Sequence, residues 1–348
     1  MRPMLRPVDA TRWIGVLLGY LCLWFLWQTF HKTWFMPQTT NAVIPFLLTT
    51  SGLLPMLLIL GAVLAHRTLV GVFLTEGRWK TVAWHLIHVA LLLAVYAMCQ
   101  RVGMDQFFHL TGSESGLLTT TSMITTMGNP LLTSNFLALV APLCLMFKPQ
   151  GRYLAYFLFL SLVIVLCGNT SSLIGVVCGS TTVLVLRRAW RYLLISGVLF
   201  VLGVLGVWIQ GALATWLDGS QRLEIWTNGW QTLCAQRLWW TGLGLGSVAS
   251  ATVQRYWNYG TLHNDYLQLL FEIGGIGLGL VIASLVALGR QIFRAPMTTV
   301  LAAWCGVLVS SGIIAGLSFP LFVAPLAMVM WLAWTATTAL TQEGGFNA

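Results

Sequence analysis

The chain has 348 residues, of which 57% are hydrophobic and only 8% charged. Soluble domains carry roughly a quarter charged residues, so this composition excludes a water-soluble enzyme and points to an all-α, polytopic membrane protein. Seven cysteines scattered singly exclude a disulfide scaffold. The net charge of +9 is a matter of topology and does not imply nucleic acid as a partner.

Apolar runs predict ten spans, at 13–30, 43–65, 82–99, 131–147, 153–168, 172–186, 192–216, 266–288, 298–319 and 321–340. The first follows Arg2, Arg6 and Arg12 as a signal peptide would, but His31-Lys32-Thr33-Trp34 offers no small-residue cleavage site, so it reads as an uncleaved helix. Short cytoplasmic loops hold the excess of Lys and Arg. With the N-terminus inside, 13 of the 18 basic residues fall on inner segments, and Lys32, Arg101, Arg222, Arg237 and Arg255 fall outside. Treating 153–186 as one broken span lowers the split to 11 against 7, so two spans and two cytoplasmic termini are preferred.

Along the chain, His85 and His88 lie one turn apart in the third span, a metal-compatible spacing without a third ligand; packing is the better reading. Segment 116–128 is Thr-rich, too short to span, and runs into Gly128-Asn129-Pro130. It reads equally as a re-entrant piece and as an ordinary outer loop. Gly275 and Gly279 are spaced for close helix contact.

The outer stretch 217–265 is far longer than the other connections, and long loops inside compact proteins are usually functional. Asp218 and Gln221 can cap a helix over 219–235, with Leu223, Trp226, Trp230 and Leu233 as its apolar stripe. Arg222, one turn before Trp226, either anchors that helix to lipid or grips an anionic substrate. Thr241-Gly242-Leu243-Gly244-Leu245-Gly246-Ser247 permits tight turns whose N–H groups can approach a phosphate, at a spacing foreign to dinucleotide folds. His263-Asn264-Asp265 then sits at the mouth of a helix, where a neutral imidazole suits a general base. Asp265 is the competing base, and the blander alternative makes Asn264 a cap and His263 a polar interface residue. Glu272 lies about 10 Å deeper at 1.5 Å per residue, and an intramembrane carboxylate is a functional candidate by default.

Taken in order, Arg222-x-x-x-Trp226, Gly242-Leu243-Gly244-Leu245-Gly246, His263-Asn264-Asp265-Tyr266-Leu267-Gln268 and Glu272-Ile273-Gly274 resemble the O-antigen ligase/polymerase family over residues 218–280. Asn129 and Asn135, around Pro130, resemble a weaker upstream element of that family. The resemblance implies a multi-pass protein of the bacterial inner membrane and an inverting glycosyltransferase needing no metal or cofactor. Its donor would be a glycan on undecaprenyl pyrophosphate. Its acceptor would be lipid A-core, another glycan or a protein. Arg222 would then hold the pyrophosphate, and His263 would act on the acceptor. The family's Ser-Arg pair is Ser171-Ser172 here, and Arg237-Leu238-Trp239-Trp240 stands where the family commonly has a proline, so Arg101, Arg237 and Arg255 all stay open as the second phosphate ligand.

Overall fold

The computed structural model describes residues 76–102, 104, 123, 125–127, 130–147, 151–189, 197, 222–235, 239–242, 262–318 and 320–346. These residues form α-helices, with 3-10 turns at Thr125–Met127 and Pro320–Phe322, and no strand occurs among them. In chain order the helices are α1 (Glu76–Arg101), α2 (Pro130–Cys144), α3 (Arg152–Leu166), α4 (Thr170–Leu186), α5 (Arg222–Ala235), α6 (Asp265–Arg294), α7 (Thr299–Leu317) and α8 (Ala324–Phe346). Each predicted span from 82 to 186 and from 266 to 340 has its helix. The spans predicted at 13–30, 43–65 and 192–216 lie outside the described residues. By length and composition, α1, α6 and α7 can each cross a membrane, while α2, α3 and α4 are shorter apolar helices.

The stretch 153–186 is two helices. Gly168, at φ +69, follows the last turn of α3, and Asn169 caps α4 by accepting from the Ser171 amide at 3.2 Å. A positive φ is open to glycine at little cost, which is why the helix stops there.

The chain divides into two compact units. The first contains α1 to α4, α7 and α8, with α2 at its centre: every residue from Thr133 to Cys144 is buried. Helices α4 and α7 cross at backbone distance. A Cβ on Gly179 would lie 2.6 Å from the Gly306 carbonyl oxygen, and one on Gly306 would lie 2.7 Å from that of Gly179. Small residues let membrane helices approach until dispersion holds them. Of the Gly275/Gly279 pair, a Cβ on Gly275 would meet the Trp239 carbonyl at 3.4 Å, and one on Gly279 would meet nothing within 4 Å among the described residues. His88 makes a 2.7 Å contact between its Nδ1 and the Trp84 carbonyl, and both His85 and His88 lie against the Trp84 ring.

A neutral polar network is buried in this unit. The Asn169 side-chain nitrogen, which has two N–H groups to donate, lies within hydrogen-bond distance of four acceptors: Ser172 Oγ at 2.7 Å, Ser134 Oγ at 2.9 Å, Asn135 Oδ1 at 3.0 Å and the Leu131 carbonyl at 3.2 Å. Asn135 donates onward to Ser318 Oγ at 3.2 Å. The ends of α2, α4 and α7 are thereby tied together. Nearby in sequence, the Thr125 amide donates to Gln100 Oε1 at 2.8 Å, and the Thr125 and Thr133 hydroxyls share a 2.8 Å bond, so this end of the Thr-rich segment packs on protein. The rest of 116–128, apart from Met123, Thr126 and Met127, lies outside the described residues.

The second unit contains α5 and α6. Ile225 and Leu233 of α5 pack with Leu262 and Phe271, and Trp226, Leu267 and Leu270 close around them. The buried stripe of α5 is therefore Ile225, Gly229 and Leu233, with Trp226 at its edge. Trp230, expected on that stripe, is 52% exposed. The shift follows from what faces α5: it packs on protein along one ridge, leaving Trp230 outside as an interfacial aromatic.

Candidate active site

Helix α6 begins where its sequence says it should. Asn264 is the N-cap, its Oδ1 accepting from the Leu267 amide at 3.0 Å and its carbonyl from the Gln268 amide at 2.9 Å. Asp265 opens the first turn, where the helix dipole favours a negative charge. From there Asp265, Gln268 and Glu272 recur at three and four residues, on one face of the helix. All three are buried, Asp265 at 0% and Glu272 at 1% exposure. Gln268 Nε2 donates to Glu272 Oε1 at 3.2 Å. A buried polar ladder thus descends from the helix mouth.

His263 stands immediately before the cap, half-buried, with φ at +50. A left-handed backbone disfavours any residue with a Cβ and survives only where its surroundings dictate it. The dictating contacts are visible on both sides. Upstream, the Trp226 indole N–H donates to the Leu262 carbonyl at 2.9 Å, and the Leu262 amide reaches Gln268 Oε1 at 3.5 Å. Downstream, the Asn264 cap fixes the next peptide. His263 thus stands at the mouth of α6 with the residues on either side of it held by hydrogen bonds.

Two turns further in, α6 breaks. Gly274 has φ +71 and ψ −179, and its helical hydrogen bonding is interrupted. The turn Trp239–Gly242 fills the break: the Gly275 amide donates to the Trp239 carbonyl at 2.8 Å and the Ile276 amide to that of Trp240 at 3.1 Å. The approach is backbone on backbone. A Cβ on Gly242, itself at φ +75, would lie 2.5 Å from the Glu272 carbonyl oxygen, and one on Gly274 would lie 2.5 Å from the Gly242 nitrogen. Non-helical backbone in lipid needs its polar groups satisfied by protein, and this turn supplies them. Gly242 is thus needed for close approach, here to α6. The Trp239 and Trp240 rings stack at 3.8 Å on the outside of the turn.

Of the residues singled out in the sequence, His263, Asn264, Asp265, Glu272, Trp226 and Gly242 are brought together in this unit. Arg222 is the first residue of α5, four before Trp226; its side chain lies outside the described residues, as do Arg237, Arg255, Gly244, Gly246 and Asn129. Arg101 is the exposed last residue of α1, in the other unit. Among the described residues no three His, Cys, Asp or Glu side chains gather as a metal site. Gln268 enters the sequence reading only as part of a motif; its spacing from Asp265 and Glu272 on one helix face is the signal that marks it. Asn169 and Ser134 escape that reading, although Gly168-Asn169 is a helix-start signature.

No protein-family model matches the chain and no curated protein matches it, so the family resemblance rests on the motifs alone. Among solved structures, it is similar to a chain from a study of how a peptidoglycan synthase complex coordinates polymerization and crosslinking. The identity is 18%, the match covers 96% of this chain and 97% of that one, and the TM-score is 0.49. The activity of this chain therefore has to follow from its own residues.

Proposed function

We propose that the protein is a membrane glycosyltransferase that moves a glycan from an undecaprenyl-pyrophosphate carrier to an acceptor hydroxyl on the periplasmic face, in the manner of an O-antigen ligase. The observation that carries this reading is His263, held in a left-handed turn at the mouth of α6 with Asp265 and Glu272 buried below it. A histidine presented in that way, within the run that resembles the family, suits the removal of a proton from a hydroxyl.

The step is an inverting displacement. The acceptor oxygen attacks the anomeric carbon from the face opposite the carrier, forming the new glycosidic bond as the bond to the pyrophosphate oxygen breaks. His263 takes the hydroxyl proton. The electron pair leaves with the pyrophosphate, whose charge Arg222 stabilises through its two-pronged guanidinium where water is scarce. Asp265 is the competing base, in which case His263 orients the acceptor hydroxyl; the pH dependence of the transfer rate separates these roles.

The test is the set of lipid-linked glycans that accumulates when the protein is removed from its cell. Carrier-linked polymer of full length is the expected result. Accumulation of single carrier-linked repeat units would instead assign a repeat-unit polymerase, and no accumulation at all would refute glycan transfer.

A further inference from the structure

We propose that Trp226 is a positioning residue for His263, acting through the Leu262 peptide; this rests on the proposed role of His263 as the base. An indole offers a single donor and no acceptor. That donor is committed to the Leu262 carbonyl at 2.9 Å, although the ring already packs against the Ile225, Leu233, Leu262 and Phe271 cluster. The bond therefore does something packing does not. It fixes the peptide that enters His263, while the side chain and carbonyl of the following residue, Asn264, are held by the Leu267 and Gln268 amides of the first turn of α6. With the entering peptide and the following residue both held, the backbone of His263 at φ +50 is anchored on either side, which restricts where its side chain can start from. The clamp also draws on two helices: the cap belongs to α6, whereas the indole belongs to α5, which starts at Arg222. One hydrogen bond thus ties the helix bearing the phosphate-gripping arginine to the turn bearing the base. Misplacement of a reacting group by even 1 Å is costly in rate, so this bond should be felt in turnover before it is felt in binding.

The experiment is a double-mutant cycle on the full-length protein in proteoliposomes, with a polyprenyl-pyrophosphate-linked oligosaccharide as donor. Trp226→Phe keeps an aromatic ring and removes the N–H. The expected result is a loss of about 10-fold in kcat with donor KM within about 2-fold, and less than about 2-fold further loss when the same change is made in His263→Ala. Full kcat in Trp226→Phe overturns the proposal, as does an equal loss in both backgrounds, which is the mark of a merely structural bond. If Trp226→Phe does not reach the membrane, Trp226→Met, which keeps an apolar side chain and also removes the N–H, takes its place in the same cycle: a loss confined to the His263 background supports the clamp, and full kcat or an equal loss overturns it. Full turnover in His263→Ala alone removes the role of His263 itself. A crippled His263→Ala beside a fully active Trp226→Phe removes only the role of Trp226.

Discussion

The two units each bury a polar centre, and the centres are built from different chemistry. The network around Asn169 and Asn135 is uncharged, joins several helix ends and commits its donors to its own members. The centre on α6 contains two buried carboxylates, a histidine in a strained backbone and a helix broken at a glycine. Neutral hydrogen bonds between membrane helices contribute roughly 0.6 kcal/mol on average, enough to select a packing and little more. Buried carboxylates within a membrane are costly, and that cost makes Asp265 and Glu272 functional candidates where the neutral network offers none. On the proposed function, the first centre is glue and the second is the machinery.

The largest effect should come from the backbone lock. Gly274→Ala would place a methyl 2.5 Å from the Thr241 carbonyl carbon and the Gly242 nitrogen, at a φ of +71 that alanine resists. Neither obstacle is a flexible side chain, so the change should remove more than ~3 kcal/mol of stability. Gly279→Ala on the same helix meets nothing within 4 Å and should be neutral or slightly stabilising. Thermal unfolding in detergent compares them; equal Tm values would show that the interlock is not what holds α6.

Next comes a contrast between the two centres. His263→Ala should accumulate normally and lose at least ~10²-fold in transfer rate, because a sugar hydroxyl is a poor nucleophile without a positioned base. Asn169→Ala should do the reverse. It strands several buried acceptors and should cost about 1–3 kcal/mol in unfolding, with turnover per folded molecule nearly unchanged. If Asn169→Ala instead costs rate at constant stability, the network in the first unit belongs to the machinery and the division between the two centres fails.

How much of the molecule is legible in the sequence depends on the length of the signal. Each described span is visible as an apolar run, since burial in lipid needs a long stretch of one character. The cap at Asn264 and the carboxylate at Glu272 are visible too, being local and spaced at helical intervals. Contacts between distant segments are not. Nothing in Trp239-Trp240-Thr241-Gly242 says that its carbonyls receive the amides of Gly275 and Ile276, because that pairing exists only once the loop has folded onto α6. The bond from Trp226 to Leu262 is hidden for the same reason, and a positive φ at a histidine has no sequence signature at all. On α5 the apolar pattern misleads through its choice of residue: large and apolar does not mean buried when tryptophan is favoured at an interface, and Ile225 takes the place expected of Trp230.

Arg222 offers a smaller but sharper test. A lysine there keeps the charge and the reach to a phosphate, but not the planar fork that engages two oxygens at once. If the residue only anchors α5 to lipid headgroups, the ammonium serves as well as the guanidinium. If it stabilises a departing pyrophosphate, Arg222→Lys should lose about 10-fold in kcat/KM for the lipid-linked donor while the helix stays in place. Full activity in the lysine variant would leave the anchoring role standing.

The smallest effect should be that of removing metal ions. A pyrophosphate leaving group must have its charge neutralised as the sugar departs, and nature does this either with a divalent cation or with arginines. The two solutions differ in what they ask of the protein. A cation needs oxygen or nitrogen ligands converging on one point, while a guanidinium carries its own charge and hydrogen-bond geometry on a single side chain. The stretch 217–265, which the charge bias of the sequence assigns to the outer side, contains Arg222, Arg237 and Arg255. On the proposed function, these arginines would supply the second solution. Transfer by purified protein should therefore change by less than ~2-fold in EDTA. A loss restored by Mg²⁺ or Mn²⁺ would transfer the pyrophosphate from the arginines to a bound cation, and with it the role proposed for Arg222.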